Sequence, residues 1–266
     1  MNHETIALIC GGLVFVGIVA FTLAGHRFGR WHLRRSTAER VGVGAVEGAV
    51  FALLGLLIAF TFHGAYGRFE TRRQLIVQEA NAIETGYARL DLLPSAAQAP
   101  LRALFLDYAD ARGAFFVKLN DPPAAAAELA RATALQKEIW QQAVAATSEE
   151  GYQTTRLLVL PAINEMMSLT TTRAIAVQTH PPLAIFLMLF GLAIGCAALT
   201  GYGMAKNETP SIVYVMTFAA VTAFTFFVIL DMEYPRYGFI RLDTTNELLV
   251  DMRKTLEQMG PTSPPR

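Results

Sequence analysis

Apolar residues in this chain are gathered into four stretches that are each long enough to cross a membrane. A bilayer core of about 30 Å needs about 20 helical residues, because each residue rises about 1.5 Å. The four stretches are Thr5–Ala24, Gly44–Tyr66, Pro182–Met204 and Pro210–Leu230. The pattern predicts an all-α integral membrane protein with two transmembrane helices in residues 1–66 and two more in residues 182–231.

Residues 67–181, between the second and third spans, are predicted to form a helical soluble module. The helical pattern continues out of the second span as far as Leu93, where Pro94 ends it because proline has no amide hydrogen to donate. Three further helices are predicted at Pro100–Leu119, Asp121–Ala146 and Glu150–Gln178. Asp121 precedes two prolines and is expected to be an N-cap. No stretch alternates polar and apolar residues, so no sheet is expected.

Residues 232–266 are predicted to form a C-terminal segment with one helix and a disordered tail. The spacing from Thr244 to Glu247 is that of a capping box, and it precedes a helix over Leu248–Met259. The tail Gly260–Arg266 is short, polar and rich in proline.

Composition and charge narrow the classes of function. The chain is 53% hydrophobic with a formal net charge of +0, so no basic surface is available for a nucleic acid partner. Cys10 and Cys196 both lie in apolar stretches, outside any pattern for a disulfide framework or a zinc site. No catalytic or metal-ligand motif occurs, so we expect no enzyme activity, no cofactor and no metal.

Positive charge near the ends of the spans does not decide the orientation in the membrane. Six arginine or lysine residues lie on each side. One side has Arg27, Arg30, Arg34, Arg35, Arg40 and Lys206, and the other has Arg68, Arg72, Arg73, Arg173, Arg236 and Arg241. The first group is denser, which by itself favours a cytoplasmic first loop and an external module.

The end of the second span carries a recognisable motif. It runs Ala59-Phe60-Thr61-Phe62-His63-Gly64-Ala65-Tyr66-Gly67-Arg68-Phe69-Glu70 and is followed by Thr71-Arg72-Arg73. This resembles the bestrophin family, whose bacterial members have Ala-Phe, Ala-Tyr and Arg-aromatic-acid at corresponding places. Thr61, Phe62 and His63 depart from the Arg-Thr-Asn of that pattern.

A second segment and the order of the spans extend the resemblance. After the last span the chain reads Leu230-Asp231-Met232-Glu233-Tyr234-Pro235-Arg236-Tyr237-Gly238-Phe239-Ile240. It is similar to a segment of the bacterial bestrophin-like family, whose function is unassigned. The layout of two spans, a helical module and two spans is also similar over the whole chain.

The resemblance implies a homo-oligomeric, pentameric ion channel in a bacterial plasma (inner) membrane, with the termini and the module in the cytoplasm. Five copies of the second helix would line the pore. By the motif, Ala52, Leu56 and Phe60 correspond to its hydrophobic neck. The partners implied are copies of the chain itself, inorganic ions and the lipid bilayer.

Helical geometry is consistent with that assignment. At about 100° per residue, Ala52, Leu56, Phe60 and His63 share one face of the second helix. Small residues form an adjoining stripe that would let helix backbones pack closely, namely Gly48, Gly55 and Ala59.

For several residues the sequence allows two interpretations. His63 is either a pore-facing group, which would make conduction sensitive to pH, or a hydrogen-bonded interfacial histidine. Arg68, Arg72 and Arg73 either form a positive vestibule or sit at a membrane interface. Glu47 is either a functional intramembrane acid or an interfacial acid paired with Arg40.

A calcium site at the C-terminal end of the last span is not expected. Calcium takes six to eight oxygen ligands, and only Asp231, Glu233 and Asp243 are present there.

The sequence is therefore consistent with two candidate functions. The first is an ion channel of undetermined selectivity, with anions slightly favoured because the positive edge of the Phe60 ring would face the pore. The alternative is a non-conducting membrane sensor or scaffold whose helical module binds a ligand or a protein partner.

Overall fold

The computed structural model describes residues 3–35, 43–118, 121–234 and 242–260. Throughout these ranges the regular elements are helices, which confirms the all-α prediction. In chain order they are α1 (His3–Arg35), α2 (Val43–Ala88), α3 (Ser95–Val117), α4 (Pro122–Ala146), α5 (Gln153–Gln178), α6 (Leu183–Gly203), α7 (Ile212–Glu233), α8 (Asp243–Val250) and α9 (Met252–Gln258). Short 3₁₀ turns follow α2 and α6, at Arg89–Leu92 and Met204–Lys206.

Two compact units divide the chain. One comprises residues 1–69 and 180–241, and the other comprises residues 70–179 and 242–266. Four helices, α1, α2, α6 and α7, are long and apolar enough to cross a membrane, which confirms the prediction of four such helices. All four contribute to the first unit, and α2 continues into the second.

The apolar core of the first unit lies between α1, α6 and α7, with α2 against it. Its buried side chains include Ile18 of α1, Leu54 of α2, Leu189 of α6 and Phe226 of α7. The Phe51 ring of α2 meets the Phe218 ring of α7 edge to face, with centroids 5.5 Å apart.

Glycines allow α1 and α6 to approach each other closely. A β-carbon added at Gly25 would overlap the carbonyl oxygen of Ala198, and one added at Gly201 would overlap that of Thr22. Without side chains at these two places the helix backbones lie almost in contact, as small residues permit in membrane bundles. The small-residue stripe predicted from the sequence lies on α2, and the crossing of α1 and α6 was not predicted.

We predict that Gly201→Ala destabilises the protein, although alanine is the better helix former. The added methyl group must displace a backbone carbonyl, and overpacking of this kind costs about 1–3 kcal/mol. Gly191→Ala on the same helix is the control, because a β-carbon there meets no described atom within 4 Å. The melting temperature of the detergent-solubilised protein should fall for Gly201→Ala and stay within error for Gly191→Ala; equal shifts would contradict the close crossing.

The second unit is a helical module with its own core. That core joins Ile83 of α2, Phe105 of α3, Ile139 of α4 and Ile163 of α5, all fully buried. The Asp121 side chain accepts a hydrogen bond from the Ala124 amide at 3.2 Å, which confirms the predicted N-cap of α4. Asn120 and Leu119 lie outside the described residues, so the end predicted at Leu119 cannot be compared.

Two helix starts in the module differ from the prediction. Helix α3 begins at Ser95 and not at Pro100, because the alanine-rich turn before that proline is helical. Helix α5 begins at Gln153 and not at Glu150, because Gly151 adopts a φ of +102°, a left-handed conformation that a right-handed helix does not contain.

The prediction of a separate C-terminal segment with one helix is wrong. Two helices, α8 and α9, meet at Asp251 and belong to the second unit. Their apolar residues Leu249, Met252 and Leu256 are buried in the module core, so this segment packs as part of the module. The Thr244 side chain, on which the predicted capping box depends, lies outside the described part of the chain. Residues 261–266, which form most of the predicted tail, lie outside it as well.

A buried ionic network ties three helices and the C-terminal segment of the module together. Glu79 of α2 is fully buried and accepts hydrogen bonds from Arg112 Nε at 2.5 Å and Arg173 Nη1 at 2.6 Å. Arg173 also donates to Asn246 of α8 at 3.0 Å. Burial would raise the pKa of Glu79, but the two guanidinium groups hold it below its ordinary value. Arg173 is therefore part of the module core, whereas the sequence suggested only a charge near a span.

Candidate functional site

One side of α2, within residues 43–69, packs against its own unit. Leu54, Thr61 and Ala65 are buried there. Because Thr61 donates its hydroxyl to the Leu57 carbonyl at 2.7 Å, its polar group is satisfied within the helix. These buried positions recur at helical spacing and fix which side of α2 faces the core.

The other side of α2 is not covered by the chain. Phe60 is 66% exposed and Leu56 is 53% exposed, while Ala52 and His63 are also exposed. In the most apolar stretch of α2 only 11% of the residues are buried, whereas 33% are buried in the corresponding stretches of α1 and α7. The four residues that sequence analysis placed on one face therefore lie together on a surface, which we call the open face of α2 (Ala52, Leu56, Phe60 and His63).

The geometry of the open face follows from the helix. Ala52, Leu56 and Phe60 are each four residues apart, so they lie about 6 Å apart along the axis. Their side chains increase in size from Ala52 to Phe60, and His63 provides a polar group on the next turn. Such a surface can rest against lipid or against another apolar helix, but not against water.

The small-residue stripe of α2 has no packing partner within the described chain. A β-carbon at Gly48 or at Gly55 would meet no described atom within 4 Å, and Ala59 is exposed. The close helix packing predicted for these residues would therefore require a second copy, and it stays a prediction.

Arg68 forms an ion pair near the C-terminal end of α7. Its Nε and Nη2 atoms donate to both carboxylate oxygens of Glu233, at 2.7 to 3.1 Å. Glu233 is 1% exposed, and it also lies 2.9 Å from Nδ1 of His180. The His180 ring in turn stacks on Tyr234 with centroids 4.7 Å apart. The Arg68 guanidinium is therefore held in place by the buried Glu233 carboxylate.

The other two arginines of the motif have different surroundings. Arg72 is 4% exposed and donates to the carbonyl oxygens of Ala176 and Thr179 at the end of α5. Arg72 therefore holds α2 against the end of α5, and the vestibule role suggested for it stays a prediction. Arg73 is exposed and pairs with Glu70 on the surface of α2.

Sequence analysis missed the partners of these arginines. The sequence suggested Glu233 only as a candidate calcium ligand, and it did not single out His180. The contacts of Arg68 with Glu233 and of Arg72 with Thr179 join residues more than 100 positions apart, which no local pattern reveals. The matching segment from Pro235 to Arg241, and the side chain of Asp243, lie outside the described residues.

We predict that Glu233→Gln destabilises the protein strongly. The change leaves Arg68 facing a buried neutral amide, and breaking a buried pair costs on the order of 3 kcal/mol. Glu70→Gln is the matched control, since its partner Arg73 is in solvent and an exposed pair is worth less than about 1 kcal/mol. Thermal unfolding in detergent should separate the two variants; equal melting temperatures would show that the buried pair has no structural role.

Comparison with known proteins gives the following findings. A family model described as a bestrophin-like domain matches residues 11–246. Crystal structures of a bacterial bestrophin homologue from Klebsiella pneumoniae, in mutant forms, match with TM-scores of 0.69 and 0.68 at 14% identity. They cover 94% and 93% of this chain and 99% of their own. A crystal structure of a mutant membrane protein matches at 0.67 and 13% identity, covering 94% of this chain and 99% of its own. A search of curated proteins found no match.

Proposed function

This chain belongs to the bestrophin-like family, and on that premise we propose that it assembles as a homo-oligomer, a pentamer, to form an ion channel. Helix α2 of each copy lines the central pore. The observation that carries the proposal is the open face of α2, an apolar surface that the chain itself leaves uncovered.

The composition of α2 favours helix neighbours over lipid as the cover for this region. Glycine and alanine recur along the exposed side, at Ala45, Gly48, Ala49, Ala52 and Gly55. Small residues bring helix backbones close together, whereas they give lipid chains little surface to contact. Copies of α2 placed around a common axis use these small residues for packing and turn the larger Leu56 and Phe60 inward.

The neck of the proposed pore consists of Ala52, Leu56 and Phe60, repeated in each copy. An apolar constriction conducts ions when water fills it and blocks them when it dewets. The edge of an aromatic ring carries partial positive charge, so Phe60 can present that edge to a passing anion. His63 lies one turn further along and provides the first polar side chain beside the neck.

The three arginines of the motif have separate roles in this proposal. Arg73 retains an exposed guanidinium and contributes to a positive vestibule that concentrates anions. Arg68 and Arg72 hold α2 in position through their contacts with Glu233 and with the end of α5. The channel lies in a bacterial inner membrane, with the module and both termini in the cytoplasm.

We predict that the detergent-solubilised protein has five times the chain mass of 29.1 kDa. The open face requires several copies around an axis, because a single α2 cannot enclose a pore. Native mass spectrometry measures the assembly directly. A monomer would contradict the channel and would favour the non-conducting sensor or scaffold.

We predict that Leu56→Ala and Phe60→Ala each increase ion flux in reconstituted vesicles. A smaller side chain widens the neck and lowers the dewetting barrier, and a barrier lowered by about 1.4 kcal/mol gives about a tenfold rate increase.

Phe62→Ala is the matched control for the neck. Phe62 is on the same helix but about 200° around its axis from Phe60. Ion flux through the Phe62→Ala variant should stay near that of the unaltered protein. Unchanged flux in both neck variants, or equal changes in Phe60→Ala and Phe62→Ala, would show that the neck is assigned to the wrong residues.

A further inference from the structure

A shallow, open cavity of about 420 Å³ lies at the N-terminal end of α2, away from the open face. Residues of α2, the end of α6 and the start of α7 line it, and they are mostly aromatic or apolar with one acid. They include Glu47, Phe51, Thr200, Met204, Tyr214 and Phe218. All of these residues belong to the first unit, and neither the proposed pore nor the ion pairs described above use them.

Glu47 brings a negative charge to this cavity. Its carboxylate lies over Gly203, where an added β-carbon would be 3.3 Å and 3.5 Å from the two carboxylate oxygens. Among the residues that the structure describes, Glu47 has no hydrogen-bond or ion-pair partner. Glu47 is in the first turns of α2, where its carboxylate can attract a cationic group from the membrane interface.

Aromatic rings form the walls beside that carboxylate. Phe51 and Phe218 meet edge to face with centroids 5.5 Å apart, and Tyr214 is exposed at the start of α7. An aromatic face attracts a cation within about 6 Å of the ring centre. The Thr200 hydroxyl donates to the Cys196 carbonyl at 2.9 Å, which leaves its oxygen lone pairs able to accept from an N–H group.

We propose that this cavity binds an alkylammonium group, with Glu47 as its counter-charge and the aromatic rings around its methylene groups. An inorganic calcium ion fits poorly, because it needs six to eight oxygen ligands and the side chains lining the cavity offer one carboxylate and the hydroxyls of Thr200 and Tyr214. An anion is repelled by Glu47. An amine on a short apolar chain matches both the acid and the apolar walls.

Two sources can supply such a group. The cavity lies where the predicted second span begins and the fourth span begins, so it is at the depth of lipid headgroups. The amine is therefore either the ethanolamine headgroup of a membrane lipid or a free amine solute. The chemistry of recognition is the same for both, and binding does not require that the protein conduct ions.

The test compares the full-length protein with Glu47→Gln, and with Glu208→Gln as the matched control. Glu208 is an exposed acid in the α6–α7 connection, and its substitution changes the net charge equally. Each protein is placed in nanodiscs with or without phosphatidylethanolamine in a phosphatidylglycerol background. In a second arm, detergent-solubilised protein is titrated with ethanolamine and, separately, with potassium and calcium chloride. Native mass spectrometry measures bound lipid, and thermal unfolding measures stabilisation by solute.

In the unaltered protein and in Glu208→Gln we expect retained phosphatidylethanolamine, stabilisation by ethanolamine, or both. Retention without solute binding identifies the lipid as the source, and the reverse identifies the solute. Glu47→Gln should weaken the interaction by about tenfold or more, the loss of one charge-assisted hydrogen bond. Phe51→Leu keeps apolar volume but removes a ring, and it should also weaken binding.

Three results would overturn the proposal. The first is equal binding by Glu47→Gln and the unaltered protein. The second is stabilisation by potassium or calcium as great as that by ethanolamine, which would assign the site to an inorganic cation. The third is loss of the assembly in Glu47→Gln while the monomer remains folded, which would show that a cation from a second copy occupies the cavity.

Discussion

An apolar helix surface must be covered by something other than water, and the architecture of this chain depends on how that requirement is met along α2. Leu54 and Ala65 lie against the core of their own unit, whereas Leu56 and Phe60 are left open. Because successive residues are about 100° apart, a helix cannot bury one of these sets without presenting the other. The single chain therefore leaves this face of α2 uncovered, and lipid or other copies of the chain must cover it.

In each unit, polar side chains of α2 bind partners that belong to the same unit. In the first unit Arg68 of α2 binds Glu233 of α7 through three hydrogen bonds. In the second unit Arg72 binds the carbonyls at the end of α5, and Glu79 binds two arginines. Arg68, Arg72 and Glu79 fall within about 40° on one face of the helix. A buried charge tolerates little displacement, since the cost of losing its partner is high. In the first unit, the pair of Arg68 with Glu233 thus helps to fix which side of α2 packs against that unit and which side is left open.

Local features of the fold could be predicted from the sequence, and non-local ones could not. The four membrane helices follow from apolar length, Pro94 follows α2 and its 3₁₀ turn, and Asp121 caps α4, because each signal lies within a few residues of its effect. The Arg68–Glu233 pair joins residues 165 positions apart, and the Gly25–Gly201 crossing joins two helices that are not consecutive. Helical periodicity shows which residues share a face, but not which surface covers that face. This is why the open face of α2 was predicted as a set of residues, while the roles of its three neighbouring arginines needed the structure to separate them.

The acids of the chain differ in whether its described residues compensate their charge. Glu79 and Glu233 are each fully buried, and each is held by cationic or hydrogen-bonding side chains of its own unit. Glu47 lies within an apolar span and has no such partner among the described residues. The alkylammonium group proposed for the cavity would supply the counter-charge that no described residue gives Glu47. Helix α2 thus carries two surfaces, the open face and the cavity beside Glu47, that lie on different sides of the helix and that the described part of the chain leaves uncovered.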